Sequence, residues 1–480
     1  MLHTIPPRSE SALHPTVFVI FGITGDLASR KLIPALLSLY TKKLLPQRFA
    51  IVGFSRKMFT REEFREFIRG RMNVKLGQYK EEDVKHFLDH MSYEQGMFDD
   101  SSSYTRLALK LKNIDDRWGQ CSNKLFHLSV PPTLYEKILI NVAHSGLALA
   151  CDDGMGWTRV LIEKPFGSDA ATAAHLDKLL GSLFKEEQIF RIDHYLAKEV
   201  LQNIITFRFS NSMFEPLWNK KFIDKVHIKL FERATMDGRG AFYDPIGAIK
   251  DVGQNHMLMM LAIVAMESPK SFSANDIRKE RAKVLSKLKQ FKGSTISRSV
   301  VRGQYMGYMQ EPGIAAQSQT ETYFRIQANV NSARWKGVPF YLESGKALAE
   351  SKAEIDVYFK EDKNNTKKSK NGTAAENRQN ILTFRIQPDE GIRIRFFVKV
   401  PGYGYKVESK PLKFKYADTA SFDVIPNDYE RLINDAFVGD QTLFSSTDEI
   451  MASWKYIMSI LNNLNKVPLT LYEKGAGYVG

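Results

Sequence analysis

The sequence predicts an α/β N-terminal domain built on a doubly wound sheet, followed by a larger domain in which helices and strands mingle. Three observations carry this reading. The chain has 480 residues, too many for one hydrophobic core. Between residues 16 and 193, apolar strand-like runs alternate with helical patterns, as a parallel sheet with crossover helices requires. From 194 to 480 that alternation is lost. Strand-like runs "KVHIKLFE", "TYFRIQANV", "EIDVYFK", "NILTFRI" and "IRIRFFVKV" are interspersed with helical stretches at 251–266, 275–292, 427–436 and 448–463.

The first element is "TVFVIFG" (16–22), an apolar run rich in β-branched and aromatic residues that suits a buried strand. It runs into "GITGDLASRKLIPALLSLY", where Gly22 and Gly25 bracket a tight turn. Leu27, Leu32, Ile33, Leu36 and Leu37 then supply a helical apolar face. "FAIVGFSR" (49–56) is the next strand, which completes a βαβ unit. Glycines at such a turn let backbone approach a pyrophosphate, which also gains from the amides of the helix N-terminus. The spacing is G-x-x-G rather than the full G-x-G-x-x-G, so a ligand-free structural turn is the competing reading. Arg56 follows the second strand, where a ribose-recognising group belongs. A cation there suits a 2′-phosphate and favours NADP, with NAD the weaker alternative.

Further strands are expected at 124–130, 158–166 and 188–193, with helices near 133–145 and 168–185. Three polar clusters follow strand ends, where doubly wound sheets gather ligands: Ser129 with Pro131 and Pro132, "EKPFG" (163–167), and "RIDHYLAKE" (191–199). In the last of these Asp193 reads as an N-cap to a helix "HYLAKEVLQNIITF". His194 and Tyr195 would then lie in the first turn, with Lys198 on the same face as His194, forming an anion site. A capped helix with a solvated polar turn explains the same residues.

Composition is that of an ordinary globular protein, 43% hydrophobic and 25% charged. The net charge of +14 suits anionic partners. Basic residues are not interleaved with aromatics, as "NDIRKERAKVLSKLKQFK" (275–292) illustrates, so nucleic acid is not an expected partner. "MLMMLAIVAM" (257–266) is too short to cross a bilayer and reads as a buried helix, so no membrane association is expected. Residues 1–15 carry no apolar signal core and read as a loose tail. Cys121 and Cys151 lack metal-ligand spacing, so no metal site is expected and a reducing, cytoplasmic compartment fits. The polar run at 360–379 reads as a loop between two strands.

"RIDHYLAKE" resembles the substrate-binding motif of the glucose-6-phosphate dehydrogenase family, usually written RIDHYLGKE. The resemblance continues through "FGITGDLASRKL", "IEKPFG", "GRGAFYDPIGAIKDVGQNHMLMML", "TETYFRIQANVNSARWKGVPFYLESGKAL", "RIQPDEGI" and "YERLINDAFVGDQTLF", in the family's order, over about residues 16 to 455. It implies that the second domain is α+β with one large, mostly antiparallel sheet, one face completing the active site and the other serving dimerisation. It also implies oxidation of glucose 6-phosphate at C1 to the 1,5-lactone, with hydride passing to NADP. This is the first step of the oxidative pentose phosphate pathway, carried out by a homodimer or homotetramer.

Residue by residue, the resemblance makes His256 of "DVGQNHM" the proton acceptor and Asp193 the carboxylate that orients it, in place of or together with the capping role. A lone histidine on an apolar helix face is more often a core residue, and it is the motif that assigns His256 to catalysis. Imidazole suits the role because its ordinary pKa lies near neutrality. His194, Tyr195, Lys198 and Lys346 become substrate contacts, and Glu232 and Asp251 accept hydrogen bonds from sugar hydroxyls. Lys164 lies between cofactor and sugar, before a cis bond to Pro165. Gly22, Ile23, Thr24, Gly25, Asp26, Leu27, Ala28 and Ser29 line the pyrophosphate loop, with Arg56 at the 2′-phosphate and Ser129 near the ribose or nicotinamide.

Four positions depart from the family pattern. Ala197 replaces a glycine, which is harmless unless the backbone there needs a positive φ. Ser351 stands where many relatives have an arginine near the sugar phosphate. Glu343 and Asp356 replace arginines that hold a second, structural NADP in mammalian relatives, which argues against that site here. A non-catalytic dinucleotide sensor is the alternative from another class; it would have no use for the Asp193–His256 pair.

Overall fold

A computed structural model of the chain describes residues 14–72, 78–149, 156–361, 378–404, 406–419 and 425–479. The chain divides into two compact units. The first comprises 1–197 with 273–275 and 426–447, and the second comprises 198–272, 276–425 and 448–480.

In the first unit, strands β1 (Thr16–Phe21), β2 (Phe49–Ser55), β3 (Met91–Gln95), β4 (Asn123–Leu128), β5 (Thr158–Ile162) and β6 (Ile189–Ile192) form a parallel sheet. Their spatial order is β6-β5-β4-β1-β2-β3, the doubly wound order in which the chain reverses direction between β1 and β4. Every residue of β1 is buried, as its unbroken apolar run requires of a central parallel strand. Local sequence sets the helix boundaries. Thr60 and Glu63 form a capping box for Arg61–Arg71, and the Asp100 carboxylate caps Ser101–Trp118, which ends on Gly119 at φ +66°. β5 stops at Ile162, short of the expected 166, and the bond from Lys164 to Pro165 is cis, as the resemblance implies.

The span 426–447 lies in the first unit, although the sequence pattern assigns it to the second domain. Its strand β15 (Phe444–Ser445) adds antiparallel to β6 and covers that edge of the sheet. The buried Arg191 of β6 reaches Thr447 Oγ1 and Asp177 Oδ1, each at 2.9 Å. Helix Asp428–Val438 is tied down by Lys42 to Glu430 at 2.6 Å and by the Tyr429 hydroxyl to Glu163.

The second unit is built on a nine-stranded sheet. Its strands are β7 (Ile223–Phe231), β8 (Val300–Tyr305), β9 (Tyr323–Asn329), β10 (Pro339–Gly345), β11 (Lys352–Phe359), β12 (Ile381–Gln387), β13 (Gly391–Lys399), β14 (Val407–Lys415) and β16 (Leu469–Tyr472). The order is β14-β13-β12-β11-β7-β10-β9-β8-β16, antiparallel except where β7 meets β10 and β8 meets β16. "MLMMLAIVAM" is a helical segment buried at every position. Among the described residues no helix is long and apolar enough to cross a membrane, and no cluster of side chains could hold a metal ion. Most of the 360–379 run and of the 1–15 tail lies outside the described residues.

Arg281 and Glu449 form an ion pair in this unit at 2.6 Å, with side chains 1% and 0% exposed. Breaking such a buried pair on one side is costly, so Glu449→Gln should destabilise the protein by about 3–5 kcal/mol. Chemical denaturation followed by fluorescence should show the lowered midpoint.

Candidate active site

The first unit places the expected cofactor residues at the point where its strand order reverses. Gly22 ends β1 at φ +80°, and a Cβ there would lie 2.3 Å from the Ser129 carbonyl oxygen just past β4. Only glycine meets both constraints. The loop then folds back on itself. Gly25 N–H donates to Gly22 O at 2.9 Å, Ser29 Oγ donates to Gly25 O at 3.0 Å, and the chain turns helical from Asp26. Thr24 Oγ1 lies 3.0 Å from Ser55 Oγ, which ties the loop to the end of β2. Arg71 reaches Asp26 Oδ1 at 3.3 Å and the Thr24 carbonyl at 3.4 Å.

Two details bear on whether these residues fit a dinucleotide. The Ser129 hydroxyl is buried at the crevice with no hydrogen-bond partner, a polar group in need of a ligand or water. The Arg56 guanidinium is exposed at the end of β2 and makes no hydrogen bond or ion pair among the described residues. A glycine cradle, a helix start, an orphaned hydroxyl and a free cation match what a nicotinamide dinucleotide needs. A cleft of about 650 Å³ lined by Phe49, Met91 and Trp118 contains none of the expected site residues.

"RIDHYLAKE" folds differently from its sequence pattern. The helix runs from Glu199 to Phe209 with Lys198 as its N-cap, so Asp193 does not cap it. Instead Asp193 Oδ1 accepts the Tyr195 N–H at 3.0 Å and its carbonyl accepts the Leu196 N–H at 3.0 Å. An Asp side chain offers the backbone such a local turn in competition with the helix. His194 and Tyr195 therefore sit on a turn, their rings 5.0 Å apart, and the one-face argument for His194 and Lys198 fails. Ala197 is buried in the same turn without a positive φ, so the missing glycine causes no strain.

Asp193, His194 and Tyr195 belong to the first unit with Lys164; Lys198, Glu232, Asp251, His256 and Lys346 belong to the second. Asp251 and His256 share the segment Ile249–Met257, which is π-helical. Its hydrogen-bonded repeat is five residues, so these two follow one another along one side. His256 is 1% exposed. Lys346 donates to the Glu232 carboxylate, and its ammonium lies 5.5 Å from the centre of the Tyr243 ring. These two expected substrate groups are thus held together by a charge-assisted bond.

Sequence reasoning misses Glu321. Its carboxylate is buried, accepts the Ile249 N–H at 3.0 Å, and so anchors the start of the segment bearing Asp251 and His256. Burial pushes the Glu321 pKa up. Gly247, at φ +73°, leaves room for it, since a Cβ there would meet Glu321 Oε1 at 2.5 Å. The signal was within reach, because Glu321 lies inside the quoted "TETYF".

The departures also have partners. Ser351 Oγ accepts the Arg233 N–H at 2.8 Å. Glu343 is held by His227 and by the Tyr323 hydroxyl, each at 2.6 Å. Burial would raise its pKa, but these bonds and the His227 charge hold it below the usual carboxylate range. Asp356 pairs with Lys229 at 2.7 Å and accepts from Thr383 at 2.6 Å.

A doubly wound unit with this crevice, followed by a large mixed unit, defines a dinucleotide-dependent oxidoreductase. Residues 19–203 match the family model for the glucose-6-phosphate dehydrogenase NAD binding domain, and 205–477 match that for its C-terminal domain. The chain belongs to the glucose-6-phosphate dehydrogenase family. It is 41% identical over 455 residues to the glucose-6-phosphate 1-dehydrogenase of Aggregatibacter actinomycetemcomitans, covering 92% of this chain and 90% of the relative. The enzyme of the same name from Borreliella burgdorferi is 39% identical over 477 residues, covering 95% and 94%. Among solved structures, a glucose-6-phosphate dehydrogenase in complex with its substrate glucose-6-phosphate superposes with a TM-score of 0.88 at 32% identity, covering 96% and 95%. A Mycobacterium avium glucose-6-phosphate 1-dehydrogenase gives 0.81 at 30%, covering 97% and 95%.

Gly22→Ala should strain the turn and push its methyl into the Ser129 carbonyl. We expect dinucleotide affinity to fall by at least about tenfold and stability by about 1–3 kcal/mol. Fluorescence titration with reduced nucleotide reads the first and thermal unfolding the second.

Proposed function

We propose that the protein oxidises glucose 6-phosphate at C1 to 6-phosphoglucono-1,5-lactone with NADP, using His256 as general base and Asp193 as the carboxylate that orients it. The observation that supports this most is the Gly22–Ser129 crevice, with its orphaned hydroxyl, in a chain of this family. The nicotinamide, when bound, supplies the hydride acceptor. The rest is done by side chains. His256 takes the proton of the C1 hydroxyl as hydride departs, and Asp193 stabilises the imidazolium that forms. His194 and Tyr195 hold the sugar phosphate, and Lys198 makes a further contact to the substrate. Glu232 and Asp251 accept from sugar hydroxyls, and Lys346 exchanges its bond to Glu232 for one to substrate. Lys164, at the end of β5, lies between sugar and cofactor.

The NADP preference rests on Arg56, whose exposed guanidinium suits a 2′-phosphate. The argument against a second NADP is that carboxylates, Glu343 and Asp356, stand where its phosphates would need arginines; here they pair with His227 and Lys229. A homodimer or homotetramer in the cytoplasm, and the place in the pentose phosphate pathway, rest on the family resemblance alone.

His256→Asn should lower kcat by about a hundred- to ten-thousandfold, the usual contribution of a general base. The dissociation constant for glucose 6-phosphate, from calorimetry, should stay within about threefold because the change spares the phosphate contacts. An unchanged kcat would remove His256 from the role. Arg56→Ala should raise KM for NADP by about ten- to a hundredfold, the value of a charge-assisted hydrogen bond. KM for NAD should barely move, and an equal rise for both would contradict the 2′-phosphate assignment.

A further inference from the structure

Glu163 stands one residue before Lys164 and is 8% exposed, a carboxylate inside the first unit that the mechanism above does not use. Burying such a group costs free energy unless it is bonded. Three groups from three elements meet it. Tyr429, on helix Asp428–Val438, donates its hydroxyl to Glu163 Oε1 at 3.0 Å. Tyr135, opening helix Tyr135–His144, donates to the Glu163 carbonyl at 3.0 Å. His127 of β4 is fully buried, with Nε2 3.4 Å from Oε1 but without hydrogen-bond geometry.

The carbonyl held by Tyr135 belongs to the peptide unit whose nitrogen is that of Lys164. Its orientation fixes the plane from which the Lys164 side chain springs. The Tyr429 hydroxyl holds the same residue a second time, by its carboxylate. Both phenols stay neutral donors, since burial, followed by the Glu163 charge, pushes their pKa values well up. A core that needed only packing would be served as well by an apolar residue at 163.

We propose that Tyr135 and Tyr429, through Glu163, are positioning residues that aim Lys164 at the reacting groups. The inference rests on the reading of Lys164 given under Proposed function.

A double-mutant cycle tests it, using the full chain with glucose 6-phosphate and NADP. Tyr429→Phe removes one hydroxyl and no volume to speak of. In the native background it should lower kcat/KM by about tenfold, the order expected when a reacting group is misplaced by a fraction of an ångström. In a Lys164→Ala background it should lower it by less than about twofold, because the group it aims is gone. Equal losses in both backgrounds would mean a general structural role and overturn the proposal, as would no loss in either. If Lys164→Ala alone leaves kcat/KM unchanged, the assignment of Lys164 fails and the clamp falls with it. If the chain turns over no glucose 6-phosphate at all, the functional reading itself fails. Should Tyr429→Phe not fold, Tyr135→Phe makes the same comparison. If neither folds, the two hydroxyls serve the fold and the proposal is wrong.

Discussion

The close approach of Gly22 to the Ser129 carbonyl is the constraint on which the first unit's chemistry depends. β1 and β4 lie side by side, but their connections leave in opposite directions, and that divergence opens a crevice at their carboxyl ends. The turn out of β1 passes directly against the turn out of β4, whose Ser129 carbonyl and Val130 side chain both lie against Gly22. A Cβ at Gly22 would close the crevice at 2.3 Å. The amides of the following helical turn, the Ser129 hydroxyl and the end of β2 bearing Arg56 all take their positions from that approach. The site is therefore set by sheet topology before any charged residue contributes.

Tethers beyond the parallel core hold this arrangement. The span 426–447 adds β15 to the sheet edge, meets Arg191 through Thr447, and sends Tyr429 to Glu163. Arg191 is 3% exposed and is paired with Asp177 and Glu186, so its desolvation is offset by charge and hydrogen bonds together. In the second unit, the buried carboxylate of Glu321 does comparable work at the start of the π-helical segment. Both units spend buried polar groups on fixing backbone next to candidate functional residues, where looser apolar packing would not define a direction.

Much of the fold was legible because it is local. The strand, glycine turn, helix and strand at 16–56 follow one another in the chain, and their apolar runs and glycines state the βαβ unit directly. In the large sheet β7, β9, β11, β12 and β13 were legible as strand-like runs, while β8, β10, β16 and the edge strand β14, "VESKPLKFK", were not. β14 is a mostly exposed edge strand containing a proline, and it lacks the apolar face that marks the legible ones. The motif "RIDHYLAKE" announced its functional groups but not their conformation, since the Asp193 side chain captures the Tyr195 amide and delays the helix to Glu199. The return of 426–447 to the first unit was hidden for a different reason. Tyr429 and Glu163 are 266 residues apart, and no periodicity within either segment reports the other. Individual site residues such as His256 carried no distinguishing signal of their own; the surrounding family motif supplied it.

The proposed reaction requires hydride to leave C1 of glucose 6-phosphate for a nicotinamide bound at the Gly22–Ser129 crevice. Turnover of glucose 6-phosphate deuterated at C1, followed by NMR of the reduced nucleotide, tests this most directly. Deuterium in the nicotinamide ring, with none released to solvent, is the predicted result. Reduced nucleotide without deuterium, or no reduction by a protein that binds the nucleotide, would contradict it.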